Sequence, residues 1–344
     1  MPPWPVVYGT AASRPVGNAT GFDVFSLSGP DLATVQPGTN VLAVEVHQYP
    51  PSADVVFGCS VAAIHGPVPA VITRGPYLQL GTPRSVVVRW RTQVPVSSRV
   101  VYATNAAALD QEVLSATPTN DHVMLLTNLT PGLRYYYAAG DATHLLSPAD
   151  AQHYYQAPPL PGAAHPLRIW VTGDAGSGGA LQTAVRDAYL AWLGTNHTDV
   201  WLQLGDNAYP YGLDDEYQVN LFDVYRELLV RTVMWPTLGN HDTAFSTAFS
   251  DAYPYFAIFD LPTAGQAGGV ASGTEHYYSF DQGNVHFICL DSMTADRSTN
   301  GPMANWLRLD LQANTQPWII AWWHHPPYTR GKYDSDLAIP ELMD

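Results

Sequence analysis

The apolar positions along this chain change rhythm twice. From residue 40 to 47, Leu42, Val44 and Val46 alternate with Val41, Ala43 and Glu45, the period of a half-buried strand. Short apolar runs follow at 74–80, 85–91 and 99–102, punctuated by turn signals at Gly81-Thr82-Pro83 and Val94-Pro95. Strands at that spacing predict a β-sandwich over residues 70–160. A proline-rich stretch at 157–162 then favours extended linker geometry and forbids a sheet interior. Beyond it, apolar strands alternate with amphipathic stretches: 167–172, 181–193, 200–204, 214–230, 233–238, 286–290, 303–311 and 318–323. That alternation predicts a layered α/β domain over residues 165–344. Within 214–230, Tyr217, Leu221, Val224, Tyr225 and Leu228 recur at helical steps and predict one helix packed on the sheet.

Charge narrows the partners. The 344 residues carry 30 acidic against 15 basic side chains, net -15, with no basic stripe to neutralise phosphates. Nucleic acid and anionic membrane surfaces are therefore excluded as partners. No run approaches the roughly eighteen apolar residues of a membrane span. Cys59 and Cys289 cannot build a disulfide framework, and Cys289, inside the apolar run 285–290, reads as a core thiol.

The candidate chemistry sits where apolar runs end. One run ends in Asp174, another in Gly205-Asp206 with Tyr209 three residues on, a third in Asn240-His241-Asp242, and a fourth in His324-His325. Carboxylate, amide and imidazole without thiolate suit iron, zinc or manganese, and open α/β folds place ligands at the carboxyl ends of strands. Glycine before Asp174, Asp206 and Asn240 allows the chain to turn sharply there. Together these residues predict a two-metal hydrolytic centre with Asp206 shared between the ions. Two cations about 3.5–4 Å apart lower the pKa of a bridging water and stabilise both the attacking and leaving oxygens of an in-line displacement.

The ordered set GDAG, GDNAY, GNHD and HHPPY, after a β domain that opens RGPYLQL, resembles the purple acid phosphatases of the calcineurin-like metallophosphoesterase superfamily. The resemblance implies a four-layer domain, two sheets between helices, behind a fibronectin type III-like sandwich in which Tyr135 fills the tyrosine corner. It also implies hydrolysis of phosphomonoesters, with a phosphodiesterase or pyrophosphatase as the alternative. Asp174, Asp206 and Tyr209 would hold a ferric ion, and the Tyr209 phenolate would give visible colour. Asp206, Asn240 and His324 would hold a divalent zinc, manganese or iron. His241 would help protonate the leaving oxygen, Asp242 would take an orienting role where relatives more often have glutamate, and His325 would line the pocket. The family's closing Gly-His-x-His motif does not occur before Asp344, so the chain as given is expected to bind metal weakly and turn over slowly. The run from Pro37 to Val44 resembles a late strand of galactose-binding-like modules, so residues 1–65 read as a partial ancillary β-sandwich. A surface glycan-binding protein with a degenerate phosphatase domain is the alternative from a different class. The resemblance places the protein outside the cytoplasm, secreted, periplasmic or at the cell surface, although its first residues lack a signal peptide's basic and apolar regions.

Overall fold

The computed structural model describes residues 70–328, all within the second of two units that divide the chain at residue 67. The expected sandwich over residues 1–65, its strand at 40–47, its glycan-binding role and the last sixteen positions lie outside the described residues.

The first part is a five-stranded antiparallel sheet: β1 (Ile72–Thr82), β2 (Ser85–Ala103), β3 (Gln111–Leu126), β4 (Arg134–Gly140) and β5 (Tyr154–Gln156). The sequence suggested two strands with a turn at Val94-Pro95. Instead, one 19-residue strand runs through. Its first half pairs with β1 and its second with β4, while β3 follows both halves. The register against β3 shifts between Arg91 and Ser98, around the proline that cannot donate to the ladder. The predicted turn is thus a bulge that redirects the strand. Val86, Val88, Trp90, Val100 and Tyr102 all turn into the core.

The second part contains two three-stranded sheets. β6 (Ile169–Thr172), β7 (Val200–Gln203) and β8 (Met234–Pro236) run parallel. In the other, β10 (Val285–Cys289) lies antiparallel to β9 (Tyr278–Gln282) and parallel to β11 (Trp318–Trp322). Aromatic rings join the sheets: Trp235 stacks on Phe280 at 3.9 Å, and Tyr278 donates its hydroxyl to the Pro236 carbonyl at 2.6 Å. Helices α1 (Ala180–Leu193) and α5 (Pro302–Ala313) follow β6 and β10. Cys289 is buried and free, as a core thiol should be.

The helix expected over 214–230 is broken. It comprises α2 (Asp214–Tyr217), a π-turn over Gln218–Phe222 and α3 (Arg226–Leu229). Side chains of α1 take the carbonyls that a continuous helix would use internally. Gln182 donates to the Asn220 carbonyl at 2.6 Å and Arg186 to that of Val224 at 2.5 Å. The apolar face survives the break, since Tyr217, Leu221, Tyr225 and Leu228 are all buried. A short α4 (Pro254–Ile258) completes the helices among the described residues.

Arginines clamp the two parts together. Arg74 and Arg91 both reach Asp214 at the head of α2, at 2.9 and 2.5 Å. Arg89 takes the Ile258 and Ala257 carbonyls at the end of α4, and Tyr77 shares the first of these.

A buried triad ties α5 to its sheet. His286 reaches Asp281 through Nδ1 and Asp310 through Nε2, each at 2.8 Å, with His286 and Asp310 both out of solvent. Burial alone would lower the His286 pKa, but the two carboxylates outweigh it and raise it from 6.5 to about 9. Because the folded-state pKa is raised, this stabilisation is complete below about pH 6.5 and disappears as pH rises through about 9. Urea unfolding should therefore show stability falling over that interval. His286→Gln should flatten this part of the profile and cost about 3–5 kcal/mol at pH 6, by taking the cationic partner from Asp310 Oδ2 while Oδ1 keeps Val270 and Ser279. An unchanged slope in the variant would refute the assignment.

Candidate metal centre

Each candidate residue stands just beyond the carboxyl end of a strand. Asp174 follows β6, Asp206 and Tyr209 follow β7, Asn240 and His241 follow β8, and His324 and His325 follow β11. The first three strands belong to one sheet and the fourth to the other, so the site lies at the end of the inter-sheet seam. The aspartates themselves make the sharp turns: Asp174 and Asp206 have φ of 53° and 54°. Aspartate tolerates this left-handed region better than most residues, at a cost of about 1–3 kcal/mol.

Asp206 is the centre of the cluster. Its Oδ2 accepts the Tyr209 hydroxyl at 2.8 Å, and the same hydroxyl lies 3.1 Å from Asp174 Oδ1. Its Oδ1 faces the other way, 3.4 Å from His324 Nε2, which is itself 3.1 Å from Asn240 Oδ1. The Leu204 carbonyl accepts from His324 Nδ1 at 2.7 Å, which directs the Nε2 lone pair at those two oxygens. Three lone pairs facing one another repel unless a proton or a cation sits among them. Asp174, Asp206 and His324 offer ligand atoms within 4.8 Å of one another. Burial and the two carboxylates push the Tyr209 pKa well up, so the phenol keeps its proton until a cation replaces it.

Two glycines make the approach possible. A Cβ on Gly205, whose φ is 81°, would sit 2.7 Å from His324 Nδ1, and one on Gly239 would sit 2.3 Å from the Asp206 amide nitrogen and Oδ1. His241 donates its backbone N–H to Asp206 Oδ1 at 3.0 Å and places Nδ1 2.7 Å from the Pro210 carbonyl. Its Nε2 is left 3.9 Å from Asp206 Oδ2. His325 packs beside His324 with Nδ1 3.0 Å from the Ser292 hydroxyl. Burial, then His324 and Arg297, lowers its pKa to about 4.

The calcineurin-like phosphoesterase profile matches residues 167–344, just over half of the chain, and the purple acid phosphatase N-terminal domain matches residues 73–154. The chain belongs to the calcineurin-like phosphoesterase family, with a purple acid phosphatase N-terminal domain before it. Purple acid phosphatase 15 of Arabidopsis thaliana is 27% identical over 251 residues, covering 65% of this chain and 45% of the relative. Purple acid phosphatase 23 of the same plant is 28% identical over 245 residues, covering 64% and 51%. The chain thus spans about half the length of the curated relatives it matches. The purple acid phosphatase PPD1 from yellow lupin (Lupinus luteus) seeds superposes with a TM-score of 0.59 at 17% identity, over 77% of this chain and 52% of that one. At that identity the likeness speaks for the fold alone.

One residue of the predicted site lies in the core. Asp242 is wholly buried and does not face the space between Asp206 and His241. Its oxygens accept the Tyr217 hydroxyl at 2.6 Å, the Gly239 N–H at 2.8 Å, and the Asn207 N–H and side-chain amide at 3.0 and 2.9 Å. A carboxylate carrying four donors has no reach left for a leaving oxygen. Asp242 is a positioning residue that joins the turns after β7 and β8 behind the ligands. Sequence reasoning passed over Asn207, Tyr217 and Ser292, which hold Asp242 and His325. The sequence signal for them is the place of Asn207 inside GDNAY.

Asp242→Ala should leave those donors unpaired in the core and cost about 3–5 kcal/mol in urea unfolding. Asp242→Asn, which keeps one acceptor oxygen, should cost less. Equal stability of the alanine variant and the parent would remove Asp242 from this role.

Proposed function

We propose that the chain is the catalytic portion of an acid phosphatase that hydrolyses phosphomonoesters at a dinuclear metal centre. The observation that carries this reading is the division of Asp206, with one oxygen turned to Tyr209 and Asp174 and the other to His324 and Asn240. Asp174, Asp206 and Tyr209 would hold one ion, and the phenolate marks it as ferric. Asp206, Asn240 and His324 would hold a divalent zinc, manganese or iron, for which oxygen and imidazole donors are suited. Bound there, the metals would supply Lewis acidity to the phosphoryl group and its nucleophile.

The protein's own groups account for the rest. With Nδ1–H given to the Pro210 carbonyl, the proton that His241 can transfer is the one at Nε2, the nitrogen that faces the cluster. That is the atom from which a leaving oxygen would be protonated. His325, kept neutral by burial, adds no charge beside His324 and forms part of the wall. The β domain reads as fibronectin type III-like over residues 70–160, because the Tyr135 hydroxyl accepts the Thr130 N–H at 2.9 Å across a corner.

The test uses the full-length protein loaded with iron plus zinc or manganese, assayed for phosphate release from a chromogenic aryl phosphate. Asp206→Asn should lower kcat by about a thousandfold or more and reduce bound metal in elemental analysis. Tyr209→Phe should bleach the visible band. Full turnover in Asp206→Asn would sink the mechanism.

A further inference from the structure

The geometry points to a subsite for an aromatic leaving group, formed by Phe245 and Tyr211. On the hydrolytic reading above, on which this inference rests, the preferred substrates are phosphate monoesters of phenols. Phe245 is 52% exposed and Tyr211 51%, unusual values for two large aromatics side by side. Their ring centroids lie 6.3 Å apart in an edge-to-face arrangement. Phe245 also meets His241 edge-to-face at 4.6 Å, and His241 contacts the Tyr209 ring at 4.2 Å. The rings therefore step outward from the metal centre in the order Tyr209, His241, Phe245, Tyr211. A leaving oxygen that takes its proton from His241 Nε2 carries its substituent toward the next surface, which is this pair. A flat ring can pack there with centroids 4.5–7 Å away. A hydrated polyol would give up water over the Phe245 ring for little polar return.

The backbone supports a ligand role over a packing one. Ala244 and Phe245 have φ of 50° and 66°, a left-handed pair that bulky residues seldom adopt. The surroundings hold it in place. The Asn240 carbonyl accepts the Phe245 N–H at 2.7 Å, and the His241 carbonyl accepts that of Ala244 at 3.2 Å. Further along the loop, Tyr253 donates to Ser246 Oγ and the Ala248 carbonyl, and Phe249 stacks on buried His276 at 3.8 Å. The turn bearing Tyr211 is pressed against the same segment, because a Cβ on Gly212 would lie 2.6 Å from Asp242 Cα. Strain thus holds a phenylalanine out in solvent beside the proton donor, already shaped for a partner.

Binding and turnover test this separately in the full-length, metal-loaded protein. Calorimetry should show phenylphosphonate binding about tenfold more tightly than methylphosphonate. Phe245→Ala should bring that ratio near one, Phe245→Tyr should retain it, and Tyr211→Ala should reduce it independently. The ratio of kcat/KM for phenyl phosphate over glycerol phosphate should fall by a similar factor in Phe245→Ala. Equal losses on both substrates, or no margin in the parent protein, overturn the subsite. If neither ester is hydrolysed while the calorimetric margin persists and vanishes in Phe245→Ala, the subsite stands and the hydrolytic reading falls.

Discussion

The constraint behind the rest of the site is the buried Asp242 carboxylate. A charge taken out of water is tolerated only where donors replace its hydration, and here the donors come from three separate segments: Gly239 after β8, Asn207 after β7, and Tyr217 on α2. Satisfying one group therefore fixes the relative position of two strand ends and a helix. Asp206, next to Asn207, and Asn240, next to Gly239, inherit their separation from it. The candidate ligand residues stand on a scaffold joined by these buried polar contacts.

Much of this was legible in the chain. Strand followed by Gly-Asp or Gly-Asn is a local signal, and three such signals with a terminal histidine pair can converge only if their strands lie side by side. What stayed hidden depended on partners remote in sequence. β3 escaped notice because most of it faces solvent and its pairing with β2 is set by backbone ladders. The break within 214–230 could not be read from its own residues, since Gln182 and Arg186 on another helix create it. Asp242 looked like a catalytic neighbour of His241 because adjacency in sequence says nothing about which way a side chain turns after a sharp bend.

Phe245 shows the same lesson from the opposite side. In a hydrophobic pattern it resembles a core residue, and its φ cannot be anticipated from its identity. It stands exposed at a turn of left-handed backbone, where the segments after β7 and β8 come close together.

The arginine clamp sets a limit on how such a protein can be rearranged. Arg74 and Arg91 on the β domain hold Asp214, three residues before the Tyr217 that anchors Asp242. One link from the β domain to the centre thus runs through a short helix, beside the contacts that Arg89 and Tyr77 make at the end of α4. A chimera joining the α/β layers to a relative's sandwich would have to inherit both arginines and Asp214 together. Recombination between these domains therefore has to respect these three charges along with the contacts at the end of α4.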